Sequence, residues 1–289
     1  IVSNFKDDKI NIKGIFNNKI NLNLLSSLIN LDLKKNLNEN ILLSSKSNFE
    51  ILLNNKFKIQ DYNLESKIDL ENIKINLDDN ILKNYITKFA NSVTVNNGVL
   101  DLKINKKNEI EIIVNSQYFF DKKNKPKDFM FNYSKIKSIE KYKLNIDLSG
   151  YEFKLDQINF LKTADEKLYV DAYLIKNNNI YNLEYINLFN KKNKFNLKNI
   201  KFTENLKIDD FELINATYQN KDDFINDISI KKKNRNIILN ANNFDLSLNI
   251  EKILKGKNNE NLFDVFENLN SKLNINIKSA KLDNEYNLK

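Results

Sequence analysis

Four pairs of adjacent carboxylates are the first residues that could do chemistry: Asp7-Asp8, Asp78-Asp79, Asp209-Asp210 and Asp222-Asp223. Two carboxylates can hold magnesium or divide acid and base roles between them. Each pair, however, sits near a strand end among Asn and Lys, without a glycine-rich phosphate loop or a third ligand at a telling spacing. Adjacent residues on a strand also point to opposite faces. The expectation is solvated turn carboxylates. The rest of the catalytic vocabulary is thin, because the chain holds no His and no Cys. That removes the usual general base, the commonest metal ligand, thiolate nucleophiles, disulfides and Cys-ligated zinc. No enzyme, cofactor or metal is expected.

Two basic runs stand out in a chain of net charge +8: Lys122-Lys123-Asn124-Lys125 and Lys231-Lys232-Lys233-Asn234-Arg235. Lysines can follow nucleic-acid phosphates or an anionic membrane surface. Bidentate recognition of bases and phosphates leans on Arg, and Arg235 is the single one. Solvated turns are expected, with lipid headgroups the next reading and nucleic acid excluded. Aromatic residues recur at Tyr118-Phe119-Phe120, Phe129, Phe131, Tyr133, Tyr151, Phe153, Tyr181, Tyr185 and Phe189. They could stack nucleobases, but beside Ile and Leu they favour packing or contact with an apolar ligand. The abundance of Asn, with Lys and Ile, is read as AT-rich base composition and carries no functional weight.

The elements that would position these residues are strands. Period-2 alternation runs from end to end: Ile10 and Ile12; Ile20, Leu22 and Leu24; Ile68 and Leu70; Ile73, Ile75 and Leu77; Leu100, Leu102 and Ile104; Ile110, Ile112 and Val114; Leu144, Ile146 and Leu148. Later runs cover 169–174, 195–202, 206–213, 224–230, 237–241 and 273–277. Each is a ribbon with one apolar and one polar face, the pattern of an antiparallel sheet wet on one side. Asn97-Gly98 between two alternating runs is a strong hairpin signal. Asn-rich tips at 54–55, 106–108, 177–179 and 191–193 stand in for glycine, of which there are 4. Short links make the chain a meander. Helices are few: one on Ile81, Leu82, Tyr85, Ile86 and Phe89; one capped by Ser247 with Ile250, Ile253 and Leu254, stopped by Gly256; and one on Leu262, Phe263, Phe266 and Leu269. Nothing marks a firm domain boundary. Residues 1–289 are expected as one elongated β region, with a possible sub-boundary at the Lys-rich loop near 121–128 that holds Pro126.

So long an apolar face needs covering. The sheet can fold into a sandwich, close into a barrel, or curl into a groove filled by something else. A groove lined by Ile, Leu and Phe suits acyl chains: at about 0.8 kcal/mol per methylene, water opposes a sixteen-carbon chain by roughly 12 kcal/mol. Candidate lining residues are Ile73, Ile75, Leu77, Leu100, Leu102, Ile104, Leu144, Ile146, Leu148, Ile237 and Leu239.

The stretch Ile237-Ile238-Leu239-Asn240-Ala241-Asn242-Asn243-Phe244-Asp245-Leu246-Ser247-Leu248, followed by Ile250, Ile253, Leu254, Lys255 and Gly256, resembles a segment typical of AsmA-like proteins. These are bacterial envelope proteins whose relatives include TamB and YhdP, and the likeness is to the DUF3971 family among them. Residues 195–202 and 206–216 resemble that family's paired strands. Residues 93–102, with Asn97-Gly98 before Leu100-Asp101-Leu102, resemble its recurrent strand pair around a glycine. The resemblance implies a long antiparallel meander curled into an elongated groove, the chain being a section of a longer protein. It implies a Gram-negative cell envelope, the periplasmic side, and an inner-membrane anchor outside these residues. Phospholipid acyl chains and the membrane are the implied partners, and other envelope proteins are possible ones. Phospholipid transport between membranes or outer-membrane assembly is the implied role. Asp245 carries over as a turn former only. A structural or adhesive β-sandwich or solenoid is the alternative, and a carboxylate-dependent enzyme on polysaccharide or phosphate a more distant one.

Overall fold

The computed structural model describes residues 2–6, 9–22, 41–77, 81–87, 89, 91–120, 125–205, 207–247, 269–282 and 287–288. The chain is mainly β and mostly antiparallel. It divides into two compact units, Ile1–Asn80 with Phe89–Leu144, and Ile81–Lys88 with Asn145–Lys289. The division thus falls after Leu144 and not near 121–128. Strands on either side of that loop pair through Gln117↔Asp128 and Tyr118↔Lys127, so it connects a hairpin.

Unit 1 contains β1 (Val2–Lys6), β2 (Lys9–Asn21), β3 (Leu42–Asn54), β4 (Ile59–Leu70), β5 (Ile73–Asn76), β6 (Ser92–Asn105), β7 (Ile110–Phe119) and β8 (Lys127–Ile136); β9 (Ile139–Asp147) runs across the division. Antiparallel neighbours follow the order β1–β2–β3–β4–β6–β7–β8, and β5 sits on β6 beyond the end of β4. The break between β4 and β5 comes at Asn72, whose φ is 52°.

Asn97-Gly98 is not a hairpin tip. Both residues lie inside β6, where Asn97 takes φ 49° and the pairing with β7 slips between Asn96 and Val99. The residues are a β-bulge, the other structure that a left-handed Asn and a glycine favour. Gly98 is required by close approach: a Cβ there would lie 2.3 Å from Ser116 Oγ and 2.5 Å from Ser116 Cβ. The other Asn tips divide: an Asn takes the left-handed position at 106–108 and 177–179, Phe57 takes it at φ 58° after Asn54-Asn55, and none of 191–193 has positive φ. Asn108, Asn178 and Asn234 take positive φ in tight turns. The Asn54, Asn105, Asn190 and Asn220 side chains each accept two backbone N–H groups of the turn that follows.

Unit 2 opens with α1 (Ile81–Tyr85), a single helical turn. It then has β10 (Phe153–Leu155), β11 (Phe160–Lys162), β12 (Tyr169–Asn177), β13 (Ile180–Phe189), β14 (Lys194–Phe202), β15 (Ile208–Asp210), β16 (Leu213–Gln219), β17 (Ile225–Lys233), β18 (Asn236–Asp245), β19 (Lys272–Lys281) and β20 (Asn287–Leu288). β12 to β18 pair antiparallel in sequence order, with the short β15 beside β14. The meander breaks at β19, which lies parallel to β18. A parallel neighbour needs a crossover of a dozen or more residues, and residues 246–271 supply it. The helices expected around Ile253 and Phe263 fall outside the described residues. In neither unit do the described pairings close the first strand on the last.

Candidate functional site

Among the described residues the paired carboxylates do not assemble a reactive centre. Asp7-Asp8 and Asp78-Asp79 lie outside the described residues. Asp210 Oδ1 sits 2.6 Å from Lys232 Nζ, and this hydrogen bond, outweighing the effect of burial, holds its carboxyl below the ordinary carboxylate value. Asp222 accepts from Asn159 Nδ2 at 3.1 Å and lies 3.4 Å from Lys281 Nζ. Asp223 occupies a turn at φ 59°. Among the described residues no three of His, Cys, Asp and Glu converge as a metal site. Asp245 forms the expected turn: its Oδ1 accepts the Ser247 amide at 3.0 Å and the Ser247 hydroxyl at 2.5 Å. The basic run at 231–235 is mostly strand, with Lys231, Lys232 and Lys233 in β17. No described helix is long and apolar enough to cross a membrane.

Strand register instead sorts the residues into two chemically opposite faces. In unit 2 one rung crosses seven strands as Val170, Leu188, Phe195, Ala216, Ile228, Ala241 and Ile277. The next on the same face reads Ala172, Ile186, Leu197, Ile214, Ile230, Leu239 and Ile275. At the usual strand spacing this strip is about 29 Å long. Its centre is closed: Ile228, Ile230, Leu239 and Ala241 are buried. Toward β12 and β13 its residues are half-buried, and on β19 Leu273 and Ile275 are 37% and 48% exposed.

Part of the cover comes from the β10–β11 hairpin. Phe160, fully buried, meets the rings of Phe195 at 5.0 Å and Tyr218 at 5.9 Å. Lys162, also fully buried, ties this hairpin to the preceding turn by donating from Nζ to the Leu148 carbonyl at 3.0 Å and the Tyr151 carbonyl at 2.6 Å. α1 meets the hairpin at its side, through Tyr85 stacked on Phe153 and an Ile86–Phe153 bridge.

The opposite face of the same strands is a ladder of amides. Asp171, Asn187, Asn196, Asn215, Ser229, Asn240 and Asn276 are cross-strand partners in turn. Asn196 donates to Asn187, and Asn276 Nδ2 to Asn240 Oδ1 at 3.1 Å.

Unit 1 is sorted the same way but filled differently. Its core face has the rungs Asn18, Ser45, Ile68, Leu100, Val114, Phe131 and Phe16, Ser47, Ser66, Leu102, Ile112, Tyr133. Ser47 and Ser66 hydroxyls, both buried, bond each other at 2.8 Å. Tyr133 is buried, and its hydroxyl has no hydrogen-bond partner among the described residues. Burial first, then the charge of Glu140, pushes its hydroxyl up to about 12.

Of the candidate lining residues, Ile73, Leu100 and Leu102 are buried together in the unit 1 core, with Ile75 and Ile104 packed against them. Ile237 and Leu239 are buried in unit 2. Leu148 is buried, while Leu77, Leu144 and Ile146 are half-buried. The open parts of the unit 2 strip are other residues: Val170, Ala172, Ile186, Leu188, Leu273 and Ile275. Alternation signals all of their strands, but only register shows that they form one strip. Comparison of the chain with protein-family models, curated proteins and solved structures finds no match.

Proposed function

We propose that this chain is a non-enzymatic lipid-conduit segment of a Gram-negative cell envelope, serving phospholipid transport between membranes or outer-membrane assembly. The observation that carries the reading is the pair of apolar rungs crossing seven strands of unit 2, closed at the centre and open at both flanks. Acyl chains gain about 0.8 kcal/mol per methylene on such a strip, and no titrating residue is needed for the transfer. The periplasmic placement and inner-membrane anchoring rest on the AsmA-like resemblance alone. A sandwich role is less well supported, because the only other sheet among the described residues of unit 2 is the two-stranded β10–β11 hairpin.

A photo-crosslinking amino acid at Leu188 or Ile275, compared with its neighbours Asn187 or Asn276, tests the proposal. The expected result is phospholipid adducts, read by mass spectrometry, at the first two positions and not at the second two. Equal adduct yields on both faces, or none on either, would reject it.

A further inference from the structure

The amide ladder on the outer face of unit 2 is organised beyond what a solvated surface requires. Its side chains already hydrogen-bond one another across strands, so much of the rotamer entropy that a ligand would otherwise have to immobilise is already lost. At one end the rung passes between two aromatic pairs on the same face: Tyr169 with Phe189, ring centroids 5.8 Å apart, and Tyr173 with Tyr185, 6.0 Å apart. At the other end the pairing of β17 with β18 slips between Asp227 and Ile228. The resulting bulge leaves both Asn242 and Asn243 exposed. Beside it lies a depression of about 640 Å³, lined by Asp227, Ser229, Asn240, Asn242, Asn276 and Lys278 together with Ala241, Ile275 and Ile277.

The ligand chemistry follows from these groups. Side-chain amides and hydroxyls donate and accept together, as sugar hydroxyls do. Aromatic rings offer flat apolar faces to the C–H faces of pyranose rings. The two carboxylates of the face are internally engaged: Asp171 accepts from Asn145 Nδ2 at 2.8 Å, and Asp227 from Asn242 Nδ2 at 2.5 Å, while Lys194, Lys198, Lys231 and Lys278 flank the rung on the same face. No guanidinium is available there for a phosphate, since Arg235 sits in the β17–β18 turn. Regular spacing of about 4.8 Å across the strands suits a linear repeating chain better than a compact molecule.

We propose that the outer face of unit 2 binds a linear glycan, running across the strands from the aromatic pairs to the depression. The amide rung lies on the face opposite the apolar strip, and the proposal does not rest on the lipid reading. Calorimetric titration of the full chain with cellohexaose and with chitohexaose tests it. Binding of at least one is expected, weakened about tenfold in N240A/N276A by loss of two amide contacts and unchanged in L188S, on the opposite face and outside the depression. N240S/N276S, which keeps one polar group at each site, should lose less. Absence of binding to both glycans overturns the proposal, as does equal weakening in L188S. Self-association that N240A/N276A abolishes, without glycan binding, assigns the face to a second copy instead. Lipid adducts at Leu188 would stand or fall separately.

Discussion

In unit 2 two core-face rungs cross seven strands without a polar side chain, while the matching rungs of unit 1 carry Ser45, Ser47 and Ser66. The outer faces differ as well. Unit 2 presents amides; unit 1 presents ion pairs such as Lys13–Glu50 at 2.8 Å and Lys103–Glu65 at 3.9 Å, with Ile15 and Met130 exposed among them. The same backbone pattern therefore carries two different side-chain programmes. Within those two rungs of unit 2 burial is aliphatic and aromatic, so its loss is felt as cavity and transfer energy, and the buried polar groups Lys162, Asn220, Asn226 and Asp245 lie outside them. In unit 1 part of the interior is hydroxyl, so stability there depends on partners being kept.

Truncation should expose that difference most strongly at the unit 2 hairpin. Phe160→Ala is expected to cost about 3–5 kcal/mol, measured by urea denaturation; a loss under about 1 kcal/mol would mean the hairpin does not hold down the strip. Lys162→Met removes the ammonium from two buried carbonyls and should cost about 2–3 kcal/mol. Its thermal midpoint would stay unchanged if those carbonyls found other donors. In unit 1, Gly98→Ala places a methyl group against Ser116 and should cost about 1–3 kcal/mol. Adding Ser116→Gly should recover part of that loss, and purely additive effects in the double-mutant cycle would contradict the contact.

The serines give the sharpest contrast. Ser47→Ala leaves the Ser66 hydroxyl alone and should cost about 1 kcal/mol, whereas the double change with Ser66→Ala should be nearly neutral. Two equal, additive losses would show that the pair is not coupled. The smallest effect is one of pH. Tyr133 is held up to about 12 by burial, while the unfolded tyrosine ionises near 10. As pH rises the unfolded chain loses this proton first, so the contribution is whole below about pH 10 and is lost as pH passes about 12. Tyr133→Phe should flatten that alkaline decline and leave stability at neutral pH little changed.

Much of this was legible in the alternation. Ile68, Leu100, Leu102, Ile112, Ile237 and Leu239 all point where period-2 reasoning places them, since one buried face enforces it. Register was not legible, and the strip and the amide ladder exist only through register. Asn97-Gly98 misled because a bulge and a hairpin ask the same of φ; what distinguishes them is the pairing with β7, where Ser116 lies opposite. Asn richness looked like base composition. Yet Asn54 and Asn220 tie turns, Asn108 and Asn178 take left-handed turn positions, and Asn187, Asn196 and Asn240 stand in one line. A residue-by-residue count cannot separate these roles.

The parallel pairing of β18 with β19 also sets an order of assembly. Each earlier strand of unit 2 can be captured by closing a short turn, but β19 must wait until residues 246–271 have been bridged. That closure costs about 2 kcal/mol more chain entropy than a turn of a few residues. Until it happens β18 is an open edge, with the backbone groups beside Ile237 and Leu239 unpaired. A newly made chain therefore passes through a state in which a strand with a buried apolar face invites another chain, and its yield depends on how quickly β19 arrives.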